Sequence, residues 1–424
     1  MSVFLGIDFG TSGARAIVIN PSGEIQSQTS HRFSNANNLA TQWKTTLFQL
    51  ITEIPITLRS QIARIAINGT SSTVLLCDNL GEPITEPLLY NDDRGSAVLD
   101  EIRAIAPPQH TVISATSSLA KLLWWQRYGE NIDQARYLWH QADWLAFLLH
   151  GHLGISDYHN SLKLGYDVEQ LRYPDWMPFQ ELLPEVVTPG SVVAPVKTAI
   201  ATQFNLSPNC QICAGTTDSI AAFIASQANI SGQAVTSLGS TLVLKLLSDT
   251  RIENANYGIY SHRFGVSQSE PQRVRWLVGG ASNTGGAVLR EFFTDAELVE
   301  LSARIVVDRE SPYDYYPLLK AGDRFPINDP LLPPKLAPRP ADPVEFLHGL
   351  LESMARIESR GYHLLESLGA TPLTQVFTAG GGASNLAWTA IRMRQLGVPI
   401  TVAPQTEAAY GAACLAMRGL CKGQ

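Results

Sequence analysis

A strand, a turn of glycine and small hydroxyl residues, and a second strand occur twice in this chain, about half its length apart. That repetition demands a duplicated fold. The first copy runs Val3-Phe4-Leu5-Gly6-Ile7, then Asp8-Phe9-Gly10-Thr11-Ser12-Gly13-Ala14-Arg15, then Ala16-Ile17-Val18-Ile19. The second runs Ala234-Val235-Thr236-Ser237, then Leu238-Gly239-Ser240-Thr241, then Leu242-Val243-Leu244-Lys245-Leu246, without the acidic residue. Gly10 and Gly13 permit a tight turn whose N–H groups approach an anion with no side chain in the way. Thr11, Ser12, Ser240 and Thr241 add hydroxyl donors, Arg15 adds a cation, and Asp8 is placed to order the waters around Mg²⁺. Either segment alone also reads as an ordinary hairpin. Together they suggest two phosphate-binding hairpins with a nucleotide in the cleft between the copies.

Composition bounds the rest. At 424 residues the chain has room for two or three domains. With 31 Lys and Arg against 38 Asp and Glu, the net charge of −7 argues against a nucleic-acid or anionic-membrane partner, so any phosphate site is local. The N-terminus lacks a basic leader and no apolar run is long enough to span a bilayer, so the expected location is cytoplasmic. Cys77, Cys210, Cys213, Cys414 and Cys421 are an odd, sparse set that suits a reducing compartment. Cys210-Gln211-Ile212-Cys213 has redox spacing, but it runs into Ala214-Gly215 as the start of a buried strand, which favours a structural role over a redox or metal one. The scattered histidines His150, His152 and His159 are weighed in the same way against zinc.

Strands are expected at 3–9, 14–20 and 23–32, a helix at 36–53, then the strand 62–67, in an order that points to a mixed sheet covered by helices. Helices at 115–128 and 141–150, a strand at 211–215 and a helix from Asp218 through Ala225 complete this half. The polar join Gln227-Ala228-Asn229-Ile230-Ser231-Gly232 marks the domain boundary. The second half repeats the order, with strands at 233–238, 241–247 and 273–278 and a helix from about 284. A proline-rich segment from Pro326 to Pro343 follows, then a long helix at 343–367 whose Phe346, Leu350, Met354 and Ile357 share a face. The strand 375–379, a helix from Ser384 to Leu396, the strand 400–402 and a helix from Glu407 to Arg418, ending near Gly419, close the chain.

The chemistry-bearing segment in this frame is Ala214-Gly215-Thr216-Thr217-Asp218-Ser219. Asp218 sits at the first turn of a helix, where the macrodipole keeps a carboxylate ionised, and this fits a helix cap. Flanked by two phosphate hairpins, it also fits the general base that accepts a proton from a substrate hydroxyl. Asp8 at the metal and Asp218 at the hydroxyl would divide the work of phosphoryl transfer. Gly380-Gly381-Gly382-Ala383-Ser384-Asn385 lies between a strand and a helix and leaves room for a flat base, with Trp388 one turn beyond Asn385 to wall the pocket; a plain strand-to-helix turn is the other reading. Gly279-Gly280-Ala281-Ser282-Asn283-Thr284-Gly285-Gly286 is expected to supply backbone near the α-phosphate or ribose, through Gly285 and Gly286.

The order Asp-x-Gly-Thr-Ser, Gly-x-x-Asp, second hairpin and Gly-Gly-Gly before the last helices resembles the FGGY carbohydrate kinases, the sugar-kinase branch of the actin-like ATPases. The resemblance covers essentially the whole chain. It implies an α/β fold of two actin-like, ribonuclease H-like βββαβαβα domains with an interdomain catalytic cleft. The sugar-binding domain would be 1–228, the nucleotide-binding domain 229–404, and a helix at about 405–421 would pack back on the first. ATP and Mg²⁺ would be the cofactors, and domain closure near 228–232 would exclude water.

Asn68-Gly69-Thr70-Ser71-Ser72, Val74-Leu75-Leu76-Cys77-Asp78 and Tyr90-Asn91-Asp92-Asp93-Arg94 resemble the sugar-site segments of xylulose kinases, which implies sugar contacts from Thr70, Ser71, Ser72 and Asp92 beside Asp8 and Asp218. Ser156-Asp157-Tyr158, Asn160 and Gly165-Tyr166-Asp167 parallel the same group. The departures are Thr70-Ser71-Ser72 where those kinases carry Gln-Met-His, Tyr90 for Trp, and a Lys-x-x-Trp signature kept as Lys121-Leu122-Leu123-Trp124. A strand-to-loop turn at 70–72 and a surface charge cluster at 92–94 remain alternative readings. These changes and the short chain resemble the cyanobacterial and plastid kinases assigned to D-ribulose. The expected substrate is therefore a ketopentose, D-ribulose before D-xylulose, since a site that hydrogen-bonds hydroxyls discriminates by the bonds left unpaired. A kinase of another polyol, and a non-kinase actin-like ATPase, are the alternatives.

Overall fold

The computed structural model describes residues 2–34, 38–266 and 273–418. They form two compact units, Met1–Ala225 with Gln405–Gln424, and Ser226–Pro404. Gly419 and Cys421 lie outside the described residues.

In the first unit, β1 (Val3–Phe9), β2 (Gly13–Ile19) and β3 (Ile25–Arg32) form an antiparallel meander, and β4 (Ile62–Gly69) lies parallel to β1. The helix Leu39–Glu53 makes that crossover, capped by Asn38, whose side chain accepts from Thr41 N–H at 2.7 Å. Its Trp43, Leu47, Leu50 and Ile51 pack with Leu5, Ile7, Ile65 and Ile67, the odd-numbered face of the sheet. Two short ribbons interrupt the domain: β5 (Val74–Cys77) with β6 (Tyr137–His140), and β7 (Ile155–Asp157) with β8 (Glu185–Val187). The sheet resumes with β9 (Val192–Pro195), β10 (Gln211–Cys213) and β11 (Thr216–Thr217), of which β10 and β11 run parallel to β4. Cys210 and Cys213 are buried free thiols there, pushed up to about 12 by burial.

On β1 and β4 the even-numbered residues face the opposite side, where Ala66 packs with Ala416 of the helix Ala408–Arg418. Backbone meets backbone here. A Cβ on Gly6 would fall 2.1 Å from Ala409 O, and one on Gly411 would fall 1.8 Å from Ala221 O in the helix Asp218–Ala225. Only glycine fits either position.

The second unit repeats the scheme with β12 (Gln233–Leu238), β13 (Leu242–Ser248), β14 (Tyr260–Val266), β15 (Val274–Ser282), β16 (Gln375–Ala379) and β17 (Ile400–Val402). β12, β13 and β15 are an antiparallel meander, and β16 and β17 extend it in parallel from β12. Each unit is thus built on a mixed sheet, seven-stranded in the first and six-stranded in the second, in which an antiparallel set is extended by parallel strands reached through helices, as expected of the actin-like domain. The long helix Pro343–Ser367 carries Phe346, Leu350, Met354 and Ile357 in its core. It also buries Glu358, which Arg392 grips with two hydrogen bonds of 2.6 and 2.7 Å.

β14 was not foreseen, and β15 runs on through Gly279–Ser282, beyond the expected end at 278. The glycines serve packing: a Cβ on Gly279 would lie 2.0 Å from Leu244 O, and one on Gly280 would lie 2.3 Å from the Phe325 ring. Among the described residues no helix is long and apolar enough to cross a membrane.

Candidate active site

The parallel and antiparallel registers place Arg15, Asp8, Asn68 and Thr216 side by side across β2, β1, β4 and β11. Registered neighbours share a face of the sheet, so these four side chains form one row. Asp218 begins the helix after β11, and the Ser219 N–H donates to its Oδ1 at 2.7 Å. Burial first, then the negative charge of Asp218, raises the Asp8 carboxyl to about 7, with Arg15 opposing them. Arg15 shares its charge with Glu407 in an ion pair. Behind the row, the His159 ring bonds Thr216 Oγ1 at 2.8 Å, and Asp157 accepts from Asn160 Nδ2 at 2.6 Å.

The row is short of hydrogen-bond partners. Asp8 Oδ1 and both amide atoms of Asn68 are buried with no partner in the protein, and so, outside the row, are Thr217 Oγ1 and Ser72 Oγ. Buried polar atoms are rarely left in this state, and a cluster of them at strand ends asks for a polar ligand.

The turn Gly10–Gly13 is closed by the Gly10 N–H donating to Gly13 O at 3.0 Å. That donor is therefore not available to an anion, contrary to expectation. Gly13 is needed for a different reason, since its Cβ would fall 2.3 Å from His31 O on β3. Thr11 and Ser12 are exposed and remain as the outward-facing donors of the turn. Gly10, Thr11, Ser12, Thr70, Tyr90 and Gln141 border one cavity of about 420 Å³.

The sugar-site candidates separate. Thr70 Oγ1 is 2.5 Å from Thr73 Oγ1 and 3.3 Å from Gln141 Oε1, which also accepts from the Thr70 N–H. Its hydroxyl thus helps to hold the turn at the edge of that cavity. Ser71 is half-buried, whereas Ser72 is buried with φ +66° and an unpartnered hydroxyl. Asp92 is held by Arg94 Nε at 2.8 and 3.0 Å, and the Arg94 guanidinium lies 4.5 Å from the centre of the Trp124 ring. Lys121 is fully buried, and its Nζ donates to Ser72 O at 2.7 Å and Leu89 O at 2.6 Å. Burial lowers its ammonium to about 7, with Asp92 opposing the shift.

The nucleotide-side candidates converge in the second unit. Gly239, Ser240, Gly286, Gly381, Gly382, Ser384, Asn385 and Trp388 all line a cavity of about 710 Å³. The carbonyls of Gly239 and Ser240 accept from Gly286 N–H (2.8 Å) and Ala287 N–H (3.1 Å), docking the helix Gly286–Phe292 on the second hairpin. Thr241, Gly285 and Gly380 stand behind this wall. Gly285 (φ +145°) abuts Ser240 O and Thr241 Cα, and Gly380 (φ +86°) abuts Leu238 O.

Asn385 and Ser384 are not the free groups expected at the start of the helix Leu386–Leu396. Asn385 Oδ1 caps it by accepting from Trp388 N–H at 2.9 Å, its Nδ2 donates to Ser302 Oγ, and Ser384 Oγ is 3.3 Å from Gly381 O. Trp388 is buried with its Nε1 unpartnered. The apolar side of the cavity, Leu289, Leu298, Val299 and Ala303, carries no motif and escaped sequence reasoning. So did Asn68, Gln141 and His159, whose roles depend on contacts made after folding.

The profile for the N-terminal domain of the FGGY family of carbohydrate kinases matches residues 3–225, and that for its C-terminal domain matches 234–420. The chain is similar to a xylulose kinase of Staphylococcus xylosus, 20% identical over 452 aligned positions covering 99% of this chain and 91% of that protein. Its fold is similar to a xylulose kinase from Rhodospirillum rubrum (TM-score 0.83, 18% identity, 98% of this chain and 89% of that one). It is similar also to a Plasmodium falciparum glycerol kinase with ADP (TM-score 0.82, 17% identity, 98% and 89%). With both of its domains matched and the duplicated sheet in place, the chain belongs to the FGGY family of carbohydrate kinases and is an ATP-dependent sugar kinase.

Proposed function

We propose that this kinase phosphorylates the terminal primary hydroxyl of a ketopentose, D-ribulose first and D-xylulose second. The observation that carries the reading is the pair of neighbouring buried residues Asp8 and Asn68 with unpartnered polar atoms, on the strands that lead to Asp218, since a polyhydroxylated ligand supplies the hydrogen bonds they lack. Relatives named as xylulose kinases support a pentulose. Ser72, where xylulose kinases carry histidine, is the reason to place D-ribulose first.

In the reaction Asp218 accepts the proton of the attacking hydroxyl and orients it. The Ser219 N–H, which donates to its Oδ1 at 2.7 Å, helps to fix the orientation of the carboxylate. Thr11 and Ser12 of the first hairpin, and Ser240 of the second, offer donors to phosphate oxygens. The slot containing Gly381, Gly382 and Trp388 would take the base of ATP.

The residues fit Mg²⁺. Asp8 has a buried, unpartnered carboxylate oxygen, and no cluster of three or more acidic, histidine or cysteine ligands occurs among the described residues. A hard cation held by one carboxylate, water and substrate phosphates matches that donor set. When bound, the ion neutralises charge on the transferring phosphoryl group.

A coupled assay of ADP release over ketopentoses, hexuloses and polyols tests the reading. Turnover should rise well above the sugar-free rate with a ketopentose and most with D-ribulose; a preference for glycerol or a hexulose would overturn it. Ser72→Ala should raise the ketopentose KM about 2- to 12-fold, the worth of one neutral hydrogen bond, with the ATP KM unchanged. On the nucleotide side, a Cβ at Gly382 would lie 2.7 Å from the Trp388 ring. Gly382→Ala should therefore raise the ATP KM several-fold and leave the sugar KM alone, and steady-state kinetics with each substrate varied in turn will show it.

A further inference from the structure

We propose that Lys121 is a positioning residue for the sugar site, an ammonium clamp that holds Ser72 in its left-handed conformation and ties the 70–72 turn to the segment beginning at Leu89. The inference rests on the reading of Ser72 as a sugar contact.

A lysine is almost never fully buried without a specific partner, and this one spends its ammonium on two backbone carbonyls, Ser72 O at 2.7 Å and Leu89 O at 2.6 Å. Ser72 has φ +66°, a conformation that a serine keeps only where its surroundings hold it. Its own side chain does not hold it, because the hydroxyl has no partner. The clamp on its carbonyl does.

The same helix, Ser118–Tyr128, fixes the second segment at two points. Lys121 holds Leu89 O, and Trp124, one turn further on the same face, carries the guanidinium of Arg94, which in turn grips Asp92. The spacing Lys-x-x-Trp is therefore one helical turn bearing a clamp and a platform, and both sugar-site segments take their position from it.

Kinetics of Lys121→Met, Ser72→Ala and the double variant, with D-ribulose and ATP varied in turn, decide the matter. Lys121→Met should raise the D-ribulose KM by about tenfold and leave the ATP KM unchanged, whereas a loss of folded protein alone would lower the apparent kcat with both KM values intact. In the Ser72→Ala background the effect of Lys121→Met on the sugar KM should shrink to less than about twofold, since residues acting through one contact are not additive. If Lys121→Met does not fold, Lys121→Gln, which keeps a donor, should give an intermediate KM and serves the same cycle. A raised KM in Ser72→Ala with an unchanged KM in the Lys121 variants, or fully additive effects, overturns the clamp alone. An unchanged KM in Ser72→Ala overturns the sugar reading and the clamp with it.

Discussion

Asp218→Asn should lower kcat by roughly 10²–10⁴ while ATP affinity and fold survive. The substitution keeps size and an oxygen able to accept the Ser219 N–H bond of 2.7 Å, so the start of the helix keeps that contact. It removes only the proton acceptor, and with it the negative charge that helps raise Asp8. Single-turnover phosphorylation of D-ribulose, measured together with calorimetric ATP binding, separates the two roles. A kcat near that of the parent would leave Asp218 with a structural role at the start of its helix and nothing more.

Asp8→Asn should abolish turnover and yet produce a more stable ligand-free protein at alkaline pH. The Asp8 carboxyl rises from 3.8 to about 7 chiefly through burial, so the folded chain holds that proton more tightly than the unfolded chain does. The stability tied to that proton is complete below about pH 4 and is lost as the pH climbs through about 7. Above that point the folded protein carries a buried charge with an unpartnered oxygen, at a cost of at most about 4 kcal/mol, from which the attraction of Arg15 has already been subtracted. Asparagine carries no such charge. Thermal unfolding without metal or nucleotide should show Asp8→Asn melting several degrees above the parent at pH 8, with the gap closing towards pH 5. A lower melting point at pH 8 would mean that Asp8 is paired in the native state and that its site is not held ready for a cation.

What sequence reasoning captured and missed in this chain divides by the range of the physics. The helix Pro343–Ser367 and the strand Gln233–Leu238 stand at their expected bounds because period and caps are local signals. β14 was hidden because Tyr-Ser-His-Arg interleaves no regular apolar set. Gly279 and Gly280 hid the continuation of β15 because nothing local reveals that Leu244 O and the Phe325 ring fill their Cβ space.

The site shows the same division. The hairpins and the slot around Gly381 and Gly382 were legible as motifs. The bond of Thr70 to Gln141 was not legible because its partner stands 71 residues away. Asn68 was passed over because its place between Asp8 and Thr216 exists only in the register of three strands.

The close backbone contacts of Gly6 and Gly411 bear on how this chain is made. β1, which carries Asp8, leaves the ribosome before the second unit, but the helix that covers its even-numbered face, Ala408–Arg418, emerges only after that entire unit. Until then the strip around Gly6 and Ala66 has no cover, so the first unit cannot complete its core during synthesis in the order in which its strands appear. A protein cut after Pro404 should therefore hold its second unit and lose its first, which makes the last helix the gatekeeper of the unit that carries Asp8 and Asp218.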